Sequence, residues 1–70
     1  MNPLVQRILE VRRELDEARA AEPRDNRVVD STVDFLAGLE VAASFVLDAD
    51  DAAVLAADLR RRTRRSPTPR

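Results

Sequence analysis

The chain contains no cysteine, histidine, lysine, tyrosine or tryptophan among its 70 residues. Without cysteine it can form neither disulfide bonds nor thiolate metal sites, and without histidine it lacks the usual nitrogen ligand of zinc, copper and iron. No side chain is left that titrates near neutral pH, and there is no thiol, amine or phenol nucleophile. We therefore expect a protein that is not an enzyme, with no catalytic residues, no cofactor and no metal.

Glycine and aromatic residues are also scarce, since the chain has one glycine, Gly38, and two phenylalanines. No segment sustains the alternation of apolar and polar residues that is typical of a strand. We expect an all-α fold.

The chain is too short to build a large interior. A domain of this length buries only about 60% of the surface that its unfolded chain exposes, and chains this small commonly need a disulfide, a metal or a partner. Nineteen large apolar side chains lie between Leu4 and Leu59. Since disulfide bonds and a structural metal are excluded, we expect the chain to associate with a partner, either as a homo-oligomer or as a subunit of a larger complex.

No apolar stretch approaches the length of a membrane-spanning helix, and the N-terminus does not resemble a signal peptide. From these absences we expect a cytoplasmic protein with no membrane partner.

Charge divides the chain into an acidic body and a basic tail. Residues 1–59 contain all thirteen acidic residues and six arginines, a formal charge of −7, whereas residues 60–70 contain six arginines and no acid. We predict one small helical domain over 1–59 and an arginine-rich, partly disordered tail over 60–70.

The first helix is predicted over about residues 3–22. Asn2 is a suitable N-cap, Pro3 suits the first helical position, and Pro23 disfavours helical geometry in the residue before it. Apolar residues recur every three or four positions along this helix, as in a seam that packs lengthwise against another helix. The seam is Leu4, Ile8, Val11, Leu15 and Ala18.

The second helix is predicted over about 28–47 and is expected to be the most buried of the three. Its start is left open between Asp25 and Ser31, because Asn26 can cap it and Ser31 with Asp34 resembles a capping box. A short polar connection makes it the antiparallel neighbour of the first helix. Its predicted apolar arc is Val29, Thr32, Val33, Phe35, Leu36, Leu39, Ala42, Ala43, Val46 and Leu47, and Val41 and Phe45 fall outside that arc.

A shorter third helix is predicted over about 50–64. The carboxylates of Asp48, Asp50 and Asp51 favour a new helix start capped by Asp48 or Asp50, although one bent helix over about 28–64 is an alternative. Helix capping explains this cluster better than a hard cation does, because an EF-hand loop needs a glycine that is absent here. The predicted apolar stripe of the third helix is Ala52, Leu55, Ala56 and Leu59.

We therefore predict an antiparallel helical hairpin with a shorter third helix, assembling into a helical bundle with itself or with a partner. The predicted function is that of a non-catalytic interaction protein that oligomerises or docks on a larger protein. The expected interface residues are Leu4, Ile8, Val11, Leu15, Ala18, Phe45 and Val54.

The alternative function is a small nucleic-acid-associated regulator that contacts phosphates through the arginine cluster. The same arginines would otherwise bind an acidic partner or the chain's own acidic body. A third possibility is that the acidic body imitates nucleic acid. The cluster consists of Arg60, Arg61, Arg62, Arg64 and Arg65.

Overall fold

The computed structural model describes residues 2–65, and it describes side chains as far as residue 62. This part of the chain is all-helical, with no strand, as the composition predicted. The helices are α1 (Pro3–Ala20), α2 (Asn26–Val46) and α3 (Ala49–Arg65).

The first two helices begin at capping residues. Asn2 caps α1, since its Oδ1 accepts a hydrogen bond from the N–H of Leu4 at 2.8 Å, and Pro3 is the first helical residue, as predicted. Helix α2 begins at Asn26, and its cap is Asp25, which accepts from the N–H of Arg27 at 3.0 Å. The sequence pattern had favoured Asn26 or Ser31 as caps, and both lie inside the helix.

The chain breaks between α2 and α3, which contradicts the alternative of one bent helix. Leu47 ends α2 in an extended conformation. The side chain of Asp48 then accepts from the N–H of Asp51 at 2.9 Å, so Asp48 is the cap of α3. Asp50 and Asp51 occupy the first turn, where their charges complement the positive end of the helix dipole.

The core lies where α1 contacts both other helices. Val5 and Ile8 of α1 have no exposed surface, and they pack with Ala43 of α2 and Leu55 of α3. Half-buried apolar residues surround this cluster: Leu4, Leu9, Leu36, Leu39, Leu47 and Val54.

The prediction that the second helix is the most buried was wrong. Helix α1 has five buried residues, whereas only Val29 and Ala43 are buried on α2. The reason is that α1 packs against one side of α2 while α3 packs mainly against α1, so much of the predicted apolar arc is left exposed. The members of that arc that are exposed are Val33, Phe35, Ala42 and Val46.

The three helices do not form a tightly compact body. Their Cα radius of gyration is 13.3 Å and the principal extents are 38 × 30 × 17 Å. A compact chain of this length has a radius of gyration of about 11 Å.

None of the helices in residues 2–65 is long and apolar enough to cross a membrane.

Candidate functional site

The first notable site is a buried arginine on α1. Arg12 is only 6% exposed, and its guanidinium lies between the other two helices. Towards α2, Nη2 and Nε donate to Oε2 of Glu40 at 3.0 and 3.4 Å. Towards α3, Nη1 donates to Oδ2 of Asp58 at 2.8 Å and to the carbonyl of Leu55 at 3.1 Å. Arg12 therefore joins all three helices.

The network extends along α3 through the carboxylate of Asp58, which is 8% exposed. Besides Arg12, Asp58 accepts from Nε of Arg62 at 2.9 Å and from Nη2 of Arg61 at 3.3 Å. Arg62 also pairs with Asp16 of α1. Residues 12, 16, 40, 58, 61 and 62 thus form one cluster of three arginines and three carboxylates, which we call the Arg12 network.

The ionisation of Asp58 follows from this environment. Burial would raise the pKa of its carboxyl group, but the hydrogen bonds and charges of Arg62 and Arg12 outweigh burial, so the pKa lies below its ordinary value of 3.8. The hydrogen bond to Asp58 raises the pKa of Arg62 against the effect of burial, and Asp16 adds to the increase. The pair is therefore fully charged at neutral pH.

Sequence reasoning missed the Arg12 network. The spacing of four residues between Arg12 and Asp16 predicts an ion pair on a solvent face of α1, but Asp16 pairs instead with Arg62. The apolar stripe of α3 was misplaced in the same way. Leu55 is buried as expected, but Ala52, Ala56 and Leu59 are exposed, and the inward side consists of Asp51, Val54, Leu55, Asp58 and Arg62.

An apolar-only pattern could not find that side, because it excludes a buried aspartate by definition. The sequence did contain a signal for this side. The apolar Val54 and Leu55 share a helical face with oppositely charged residues, Asp51, Asp58 and Arg62, which could pair when buried.

The predicted interface residues do not lie together on one surface. Ile8, Val11 and Leu15 are buried within the single chain, and Leu4 and Ala18 are half-buried, so these seam residues take part in internal packing. Val54, expected to be exposed, packs against the core. Phe45 is the one expected contact residue that is largely free, at 85% exposed.

Phe45 belongs to the side of α2 that faces away from α1 and α3. We call this side the outward face, and all of its residues are exposed. Val41 and Val46, at 60% and 69%, add apolar surface on and beside it. The outward face is defined by Arg27, Asp34, Gly38, Val41 and Phe45, which are spaced seven, four, three and four residues apart.

An open groove of about 250 Å³ runs between α2 and α3. Arg12 and Glu40 line it, and its remaining walls are Ala43, Ser44, Leu47, Ala52, Leu55 and Leu59. The two charged groups already bind each other, so they do not offer a free charge to a ligand.

The arginine cluster is only partly available for partners. Arg62 binds Asp58 and Asp16, and Arg61 binds Asp58, while Arg60 is exposed. The side chains of Arg64 and Arg65 and all of residues 66–70 lie outside the described residues. Arg61 and Arg62 therefore bind carboxylates from within α3, and only the pair of Arg62 with Asp16 reaches another helix.

Within the described residues, no group of three or more carboxylates is arranged to hold a metal ion. Asp48, Asp50 and Asp51 are accounted for by the start of α3.

In comparisons with protein-family models, with curated proteins and with solved structures, the chain matches none.

Proposed function

We propose that this chain is a non-catalytic helical interaction protein that associates through the outward face of α2. The observation that carries the proposal is the exposed ring of Phe45 beside Val41 and Val46. A single exposed apolar residue would mean little, but a group of them on a small domain is typical of a binding surface.

The small core supports the same proposal. Seven apolar residues are buried among residues 2–62, so burying the outward face would add a substantial fraction to the apolar burial of this part of the chain. We infer that α1 and α2 form an antiparallel hairpin within this assembly. The connection of residues 21–25 is short, and Val5 and Ile8 near the start of α1 contact Ala43 near the end of α2.

Photo-crosslinking tests the proposal. A benzophenone amino acid replaces Phe45 in one variant and the exposed Arg13 of α1 in a control variant. We expect an adduct of one reproducible mass from position 45 and none from position 13. Val41→Asp, introduced beside the probe at 45, should abolish the adduct because a buried unpaired carboxylate opposes docking. Equal yields from positions 45 and 13 would contradict the proposal.

The nucleic-acid alternative has weaker support. Phosphate binding needs free cations, and Arg61 and Arg62 are already paired with carboxylates. If it is nevertheless the main function, the affinity for nucleic acid will fall steeply with salt and will vanish when residues 60–70 are deleted.

A further inference from the structure

Helix α2 carries apolar residues on two opposite sides. Val29 and Ala43 face the interior, while Val41 and Phe45 lie on the outward face among the charged Arg27 and Asp34. An exposed group of apolar residues is typical of a binding surface. Because α1 packs on the inner side of α2 and α3 packs mainly on α1, no part of residues 2–65 covers the outward face.

Gly38 lies in the middle of the outward face, and nothing within the chain requires a glycine there. Its φ is not positive, and a Cβ atom built on it would meet no atom within 4 Å. Glycine inside a helix costs about 1 kcal/mol relative to alanine. One physical reason for a glycine at such a position is the close approach of another backbone, which a side chain would prevent.

One pair of opposite charges at the two ends of α2 would be complementary between two copies: Arg27 in its first turn and Asp48, the cap of α3, just beyond its end. Arg27 lies eleven residues before Gly38, and Asp48 lies ten residues after it. If two α2 helices cross antiparallel at Gly38, Arg27 of each copy comes beside Asp48 of the other, because a twofold axis exchanges the two ends. A parallel crossing would instead bring the two Asp48 carboxylates together.

The sizes of the side chains agree with the same arrangement. Phe45 lies seven residues after Gly38, and the small, exposed Ser31 lies seven residues before it. In the antiparallel crossing the ring of Phe45 therefore faces Ser31 of the other copy. Asp34 lies on the outward face and the exposed Asp30 lies beside it, and the need to keep these two carboxylates hydrated limits the affinity.

We propose that the outward face of α2 is covered by the same face of a second copy of the chain, in an antiparallel crossing at Gly38. This inference rests on the proposed function and adds the identity of the partner. A second copy is also the one partner present whenever the chain is made, which suits a domain whose own core is small.

Sedimentation equilibrium of the full chain at micromolar concentration tests the inference with two leucine substitutions. Gly38→Leu fills the crossing point, and Ala53→Leu adds an equally exposed leucine to α3 as a control. We expect wild type and Ala53→Leu to be dimers. We expect Gly38→Leu to dimerise at least tenfold more weakly while its helix content stays the same or rises, because the added side chain has open space within the chain.

Arg27→Glu provides a second test that leaves the core untouched. It places a carboxylate opposite Asp48 of the other copy, so it should also weaken dimerisation at least tenfold at low salt. High salt should reduce this difference between the variant and wild type.

The possible failures are distinguishable. If Gly38→Leu dimerises like wild type, the dimer uses another surface and the inference is wrong. If wild type is monomeric while the probe at Phe45 captures a different protein, the inference is wrong but the proposed function stands. If wild type is monomeric and that probe captures nothing, both are wrong.

Discussion

At the scale of single residues, Arg12 is the side chain on which the arrangement of the helices most depends. Its guanidinium donates to groups 28, 43 and 46 residues away in the sequence. None of the buried side-chain nitrogen or oxygen atoms in the described part of the chain lacks a hydrogen-bond partner. Without Arg12, Asp58 would keep Arg61 and Arg62 of its own helix as partners, but the carbonyl of Leu55 would lose this donor and the network would no longer join α2 to α3.

We therefore predict that Arg12→Ala lowers the free energy of unfolding by about 1.5–3 kcal/mol, because charged hydrogen bonds to both other helices are lost. The neighbouring Arg13→Ala, at an exposed position, should change it by less than about 0.5 kcal/mol. Urea unfolding monitored by circular dichroism measures both values. Similar effects of the two substitutions would show that the buried network does not hold the helices together.

Asp58 gives the molecule a predictable response to acid. Because its pKa is lowered in the folded state, the unfolded chain binds more protons, and the stabilisation is present above the ordinary pKa of 3.8. It is lost as the pH falls through the lower, folded-state value. We expect the free energy of unfolding to decrease below about pH 4 and to decrease less steeply in Asp58→Asn, as measured by urea unfolding between pH 7 and pH 2.5. Equal slopes for the two proteins would contradict this explanation.

At the scale of the helices, capping side chains determine where each one begins. Asn2, Asp25 and Asp48 each accept a hydrogen bond from a backbone N–H of the first turn. These contacts are local, so they were partly readable from the sequence: Asn2 was predicted, and Asp48 was one of two alternatives for α3. Helix α2 begins within the predicted interval, but its cap is Asp25 and neither Asn26 nor Ser31.

Asn2→Ala tests the contribution of such a cap away from the proposed interface. It should lower the free energy of unfolding by about 1 kcal/mol, because the N–H of Leu4 loses its acceptor. Gln6→Ala, in the same helix at an exposed position, should be neutral within about 0.5 kcal/mol. Thermal unfolding of the two variants under identical conditions provides the comparison, and equal losses would mean that the cap contributes nothing.

Which side of each helix is buried was less predictable from the sequence than where the helices lie. Apolar spacing correctly placed Ile8, Val11 and Leu15 inside, but the predicted seam left out Val5 and Arg12, which are also buried. The same reasoning failed on α3, because burial of Asp58 depends on Arg12, which is 46 residues away in the sequence. It also assigned too wide an arc to α2, since α1 covers only one side of that helix.

At the scale of the whole molecule, the free energy of unfolding should depend on the protein concentration. If two copies cover each other, each tenfold rise in concentration stabilises the folded dimer by up to about 1.4 kcal/mol. For a domain of this size, about 4–8 °C in Tm corresponds to each kcal/mol. Calorimetry over a hundredfold concentration range should show a rising Tm for wild type and a nearly constant Tm for Gly38→Leu. A constant Tm for wild type would exclude an obligate dimer.

The Arg12 network also decides what happens to a shortened chain. A protease cut before residue 58 would remove Asp58 and the part of α3 that covers Arg12, and Glu40 would remain as a partner of its guanidinium. Part of the small core would be lost with Asp58, since the remainder of α3 would hold Leu55 less firmly. A chain cut in this way should therefore unfold more readily than the intact one, and cellular proteases degrade unfolded chains.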